Sequence, residues 1–152
     1  MNTFEFRKLQ VTDLPTYYEI RFSVTENLIH EHQVKYLQRE WALSDIAQGG
    51  GWLCFEGAVA VGLCLPLFVP DPIVAALFVR PEYHGRGIGR KLLELSIDWL
   101  RGNGAQNITL ETDSGTRADG FYKHLGWKRG DPSDQGGQVS FTLDLSTICE
   151  AT

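Results

Sequence analysis

One stretch constrains this chain more than any other. An uncharged apolar run, Ile73-Val74-Ala75-Ala76-Leu77-Phe78-Val79, stops at Arg80-Pro81, passes through His84-Gly85-Arg86-Gly87-Ile88-Gly89 and resumes as an amphipathic pattern. A short run of this composition suits a strand buried on both faces, and Pro81 has no N–H to continue a ladder, so the strand ends near Val79. Beyond the glycines, Ile88, Leu92, Leu95 and Trp99 recur at helical spacing, while Arg90, Glu94, Asp98 and Arg101 fill the opposite side. The unit reads as strand, loop and helix. The first helical turn offers unpaired N–H groups at the positive end of the helix dipole, and glycines let an anion approach the backbone, so the expected ligand carries phosphate.

The rest of the chain supplies a sheet for this unit. Phe4 to Leu9 alternates imperfectly, as an edge strand does. Thr12, Asp13 and Pro15 mark a helix start, predicting a helix from about Leu14 to about Val24 with Tyr17, Ile20 and Val24 buried. A second helical pattern, Gln33 to Ala47, carries Val34, Leu37 and Trp41 and ends at Gly49-Gly50-Gly51; the link from Thr25 to His32 is polar. Trp52 to Phe55 and Ala58 to Val69 flank Glu56-Gly57 as an antiparallel hairpin. After the long helix, Asn107 to Thr112 alternates as a strand, Arg117 to Leu125 as a helix, Asp131 to Gly137 reads as a loop, and Gln138 to Leu145 as a last strand. The expectation is an α/β fold, α+β under some classifications. It has a mixed central sheet with helices on both faces, in the order β-α-α-β-β-β-α-β-α-β, and residues 1–152 form one domain.

Composition narrows the function. A net charge of −5 argues against nucleic acid as the main partner and mildly favours a cationic substrate. No apolar run reaches the roughly 18 residues of a membrane span, and the N-terminus lacks a signal pattern, so the chain reads as cytoplasmic with no membrane partner. Cys54, Cys64 and Cys149 are an odd set without metal-ligand spacing, and His30-Glu31-His32 does not place its ligands on one helix face, so no metal is expected.

Three loop patterns compete at the glycines. A nucleoside-triphosphate loop would need Gly-Lys-Ser/Thr, and the chain has Arg90-Lys91 with no hydroxyl. A dinucleotide fingerprint starts at Gly85 and Gly87 but meets Arg90 where its third glycine belongs; Glu111 stands about where its ribose-binding acid would. The third pattern fits best. Leu77-Phe78-Val79, His84-Gly85-Arg86-Gly87-Ile88-Gly89-Arg90-Lys91-Leu92-Leu93 and, about 35 residues beyond, Phe121-Tyr122-Lys123-His124-Leu125-Gly126-Trp127 resemble the GNAT superfamily of acyl-CoA-dependent N-acetyltransferases. In that family the loop reads Gln or Arg, two residues, Gly, one residue, Gly or Ala. Gly87 and Gly89 match, while His84 holds the Gln/Arg position.

The resemblance implies a GNAT-like, mostly antiparallel sheet and acetyl-CoA as cosubstrate. Its pyrophosphate would lie on the backbone of His84, Gly85, Arg86, Gly87, Ile88, Gly89 and Arg90, and its pantetheine arm against the backbone of Leu77, Phe78 and Val79 as a false strand. Tyr122 aligns with the tyrosine that assists thiolate departure, and Arg117 is placed to meet a phosphate. The family often carries a Glu on the opening strand as base, but residues 73–80 hold no carboxylate. The base must come from elsewhere: Glu111 first, with Asp113, then Glu26. Glu26, Trp41 and Trp52 are candidates to shape the acceptor pocket, core packing being the alternative for each aromatic. The acceptor would be an amine on a small molecule or a protein, and a homodimer is the assembly to test. A non-catalytic acyl-CoA-binding domain is the rival reading.

Overall fold

The computed structural model describes residues 3–132 and 137–145. Cys149 and the centre of the expected loop 131–137 lie outside them. Seven strands form one sheet, β1 (Phe4–Lys8), β2 (Trp52–Glu56), β3 (Val59–Leu67), β4 (Ile73–Val79), β5 (Asn107–Asp113), β6 (Lys128–Pro132) and β7 (Gln138–Asp144), in the spatial order β1-β2-β3-β4-β5-β7-β6. All neighbours are antiparallel except β4 and β5.

Helices α1 (Leu14–Arg21) and α2 (Arg39–Ala47) cover one face, burying Tyr17, Ile20, Ala42 and Ile46 against Leu53, Leu63 and Leu65. On the other face α3 (Ile88–Gly102) sets Ile88 and Leu92 against Val61 and Cys64. Its Leu93 and Leu100 join Tyr122 of α4 (Arg117–His124) over Ile108, Leu110 and Phe141. Strand β3 is therefore buried from Ala60 to Leu67, which is why it reads as a continuous apolar run. Each fully buried Leu there contributes about 2 kcal/mol.

Three expectations are corrected. Helix α1 stops at Arg21 rather than Val24, because the Ser23 hydroxyl donates to the Ile20 carbonyl at 2.7 Å and closes the last turn. The second helical pattern breaks in two, a 3₁₀ segment Glu31–Leu37 and then α2, with Gln38 extended between them. The Leu37 carbonyl is taken by the Tyr18 hydroxyl at 2.6 Å, and Val34, expected in the core, is 52% exposed. Strand β6 was not expected at all. Lys128-Arg129-Gly130-Asp131-Pro132 has no apolar alternation because it is an edge strand, held by main-chain pairing to β7 and by the Arg129–Asp119 ion pair rather than by apolar packing.

Phe141 is fully buried and its ring lies 5.5 Å from that of Tyr122. Phe141→Ala is expected to lower stability by about 3–5 kcal/mol, checked by urea unfolding.

Candidate active site

The site begins with a proline. Pro66 has no N–H for the ladder, and opposite it the pairing of β3 with β4 slips: Leu65 faces Ala76 whereas Pro66 faces Val74, leaving Ala75 as the extra residue of a bulge. The bulge bends β4. Its register with β5 is a single pair, Ile73 with Thr109, after which the parallel strands part and the edge from Leu77 to Val79 has no strand beside it.

Two cavities occupy the wedge. The first, of about 530 Å³, runs from Val79 past Gly85, Gly87 and Gly89 to Arg117 and Phe121. The second, of about 680 Å³, lies between α1, Trp41, the bulge and the polar side of β5 and β7, including Glu111 and Ser140. Asn27, Leu77, Phe78, Ala118 and Tyr122 line both.

The first cavity is an anion cradle. Gly85 and Gly87 have φ of +79° and +81°, a left-handed backbone that aims successive amides the same way, and Gly87 caps α3. The first helical bond runs from the Lys91 N–H to the Gly87 carbonyl at 3.1 Å. Among the described residues, none accepts from the N–H groups of residues 85 to 90. That row of free donors at a helix N-terminus fits a pyrophosphate. A ring nitrogen of His84 lies 3.0 Å from the Val79 carbonyl and so ties the loop to the end of β4. The Arg86 side chain leaves the cavity and sits over the Tyr83 ring.

A strap from residue 24 to residue 32 closes the wedge from above. Asn27, in left-handed conformation at φ 56°, accepts from the Thr112 hydroxyl at 2.8 Å and from the Asp113 N–H at 2.7 Å. His30 Nε2 meets Asp113 at 2.6 Å, and His32 Nε2 meets Gln138 at 3.2 Å. Glu26 accepts from the Arg117 N–H at 3.0 Å, capping α4.

Tyr122 stands where the cavities meet. It is 5% exposed and packed against Phe121, Trp127 and Phe141, and burial pushes its phenol well above the usual 10. Its hydroxyl has no hydrogen-bond partner among the described residues and is not sealed in protein, so the donor faces the cavities. Glu111 lines the second cavity with an exposed carboxylate that bonds no described residue, whereas Asp113 is held by His30.

The expected residues thus separate. Leu77, Phe78, Val79, His84, Gly85, Gly87, Ile88, Gly89, Arg90, Arg117 and Tyr122 line the first cavity; Trp41 and Glu111 line the second. Glu26 lines the first cavity and not the second. Trp52 lines neither, because its side chain points to the α3 face of β2, beneath Lys8. Sequence reasoning missed Asn27, His30, Arg21 and Asp45. The polar run 25–32 was the only signal for the first two.

A sheet parted at its parallel pair, with bare amides on one side and a polar-walled chamber on the other, defines a transferase that brings a phosphate-bearing donor and an acceptor together at one point. The family model of the acetyltransferase (GNAT) family matches residues 14–127, and the chain belongs to that family. It is an acyltransferase that moves acetyl from acetyl-CoA to an amine. The chain is 29% identical to the [ribosomal protein bS18]-alanine N-acetyltransferase of Escherichia coli K12 over 132 residues, 84% of this chain and 81% of that one. It is 42% identical to N-alpha-acetyltransferase 30 of Schizosaccharomyces pombe over 57 residues, 37% of this chain and only 38% of that one. In fold it is similar to the PaiA N-acetyltransferase of Thermoplasma acidophilum in complex with coenzyme A, with a TM-score of 0.77 and 20% identity over 93% of this chain and 99% of that one.

Two glycines separate backbone demand from space. A Cβ at Gly89 would meet Val79 at 3.7 Å and Phe121 at 3.9 Å, ordinary contacts, while Gly87 needs its left-handed φ. Gly87→Ala is expected to cost about 1–2 kcal/mol and raise the KM for acetyl-CoA about tenfold, with Gly89→Ala near wild type in both; steady-state kinetics and thermal unfolding check this.

Asp45 lines the second cavity, and burial raises its carboxyl from 3.8 to about 6. The strain of ionising it is absent below pH 3.8, accrues between there and pH 6, and is full above. Asp45→Asn is therefore expected to be more stable than wild type by about 1 kcal/mol at pH 8, after allowing for solvent screening. At pH 4 the two should coincide, which urea unfolding at both values measures.

Proposed function

We propose that residues 1–152 act as one cytoplasmic acetyltransferase domain and transfer the acetyl group directly, without a covalent enzyme intermediate, to a primary amine entering through the second cavity. The observation that carries this reading is the meeting of the two cavities at Tyr122 and Phe78. The free amides of residues 85 to 90 hold the pyrophosphate of acetyl-CoA, each amide contributing about 1.5–3 kcal/mol against a charged acceptor. The open edge of β4 receives the pantetheine amides. Acetyl-CoA supplies an activated acyl group; the protein supplies position and two proton-handling groups.

An amine of pKa about 10.4 is protonated at pH 7, and freeing it costs roughly 4.6 kcal/mol. Glu111, unpaired on the wall of the second cavity, receives that proton directly or through water. Tyr122 donates a hydrogen bond to the sulfur as charge develops there; a buried phenol with a raised pKa stays neutral and keeps its proton to donate. Cys64 takes no part, being fully buried, with burial pushing its thiol up to about 11. Among the described residues no helix is long and apolar enough to cross a membrane, and the chain's net charge of −5 keeps nucleic acid out of the reading.

The relatives named for N-alpha acetylation and for the alanine of a ribosomal protein keep macromolecular amines in view, and small amines stand beside them as acceptors to test. Thiol release from acetyl-CoA, measured against small amines and peptides, tests the reading; the absence of release with every amine would sink it. Tyr122→Phe is expected to lower kcat about 100-fold with little change in the KM for acetyl-CoA, and near-wild-type turnover would remove Tyr122 from the mechanism.

A further inference from the structure

Arg21 is the anomaly of the second cavity. It ends α1, is 7% exposed, and lays its guanidinium 4.4 Å from the centroid of the Phe78 ring. None of the ion pairs or side-chain hydrogen bonds among the described residues involves it. Its donors are not sealed in protein and open into the second cavity; Arg21 does not line the first. Asp113, whose field reaches Arg21, is already engaged by His30 at 2.6 Å. A buried cation without a bonded partner is costly unless an anion arrives to complete it.

Position tells which anion. Phe78 lines both cavities, so a group bound to the guanidinium lies beside the point where the acceptor amine must stand. The other charges on the chamber wall are acidic, Glu111 and Asp45. Those acids repel a multiply charged phosphate but leave room for one carboxylate on the fork of Arg21.

We propose that Arg21 determines acceptor specificity by binding a carboxylate adjacent to the reacting amine, so that the substrate is a small α-amino acid or a close relative of one. The ammonium faces Glu111 and the carboxylate faces Arg21, while the side chain extends toward Trp41 and Tyr36. The inference rests on the acetyl-transfer reading above.

The test is a matched panel: each of the common amino acids, its amide and its decarboxylated amine, with thiol release from acetyl-CoA as readout. At least one amino acid is expected to exceed both of its analogues about 100-fold in kcat/KM. Arg21→Gln should shrink that ratio to below about threefold and Arg21→Lys should restore part of it, with the KM for acetyl-CoA unchanged in both; a role confined to packing on Phe78 would lower activity without moving the ratio. Amides or simple amines used as well as amino acids overturn the proposal, and so does a preference for peptides with Asp or Glu in second place over every free amino acid. If no amine is turned over while coenzyme A still binds by calorimetry, the acetyl-transfer reading fails. Arg21 is then judged by thermal shift with coenzyme A present: stabilisation by an amino acid and not by its amide upholds the carboxylate site, and equal shifts overturn it.

Discussion

The architecture depends on one failure of pairing. Parallel strands β4 and β5 share the pair Ile73 and Thr109 and then separate. The cause lies a strand away, where Pro66 cannot donate to β4 and the ladder absorbs the defect as a bulge at Ala75. Had β4 run on beside β5, the chain would have a continuous sheet and no site. The wedge leaves backbone of β4 bare in the middle of a protein, which is tolerable only because a ligand with amides of its own can pair there. The same opening holds the second cavity on the opposite side. A fold defect thus sets the position at which the two cavities meet.

How much of this can be read from residues depends on what kind of force holds each part. The strand, glycine loop and helix from Ile73 to Gly102 were legible because three local signals agree there: an uncharged run, a proline stop and a 3.6-residue apolar period. Strand β6 was illegible because an edge strand held by backbone pairing and one ion pair, Arg129 with Asp119, leaves no apolar period in the sequence. The break at Gln38 was hidden for a related reason, since the Tyr18 hydroxyl that takes the Leu37 carbonyl comes from 19 residues earlier. Trp52 failed as a pocket residue because alternation along β2 fixes its face, and that face belongs to α3. Asn27 and His30 carry no motif; their partners, Thr112 and Asp113, are 85 and 83 residues away.

The strap from residue 24 to residue 32 shows why the polar link between the early helices is part of the site rather than a spacer. Its Asn27 and His30 tie it to the end of β5, and its Glu26 to the start of α4. These are the two elements that carry Glu111 and Tyr122. Any shift of the strap therefore moves the roof of both cavities together.

Burial decides what Tyr122 can be. A general acid that gives its proton away must have a pKa near that of the leaving thiol, about 8.5. Burial among Phe121, Trp127 and Phe141 moves the phenol the other way. Full transfer is then more uphill than for a free tyrosine, so on the proposed mechanism the hydroxyl acts as a fixed dipole where sulfur gains charge. On the proposed mechanism the amine's proton leaves toward Glu111 in the second cavity, so the two proton problems are handled on opposite sides of the acetyl group. On the proposed reading the acceptor's carboxylate completes Arg21, and that pair fixes where the amine stands relative to Glu111. On this reading the wedge, the buried phenol and the guanidinium completed by the acceptor's carboxylate act on one event, presentation of a neutral amine to an acyl group whose leaving sulfur already has a donor waiting.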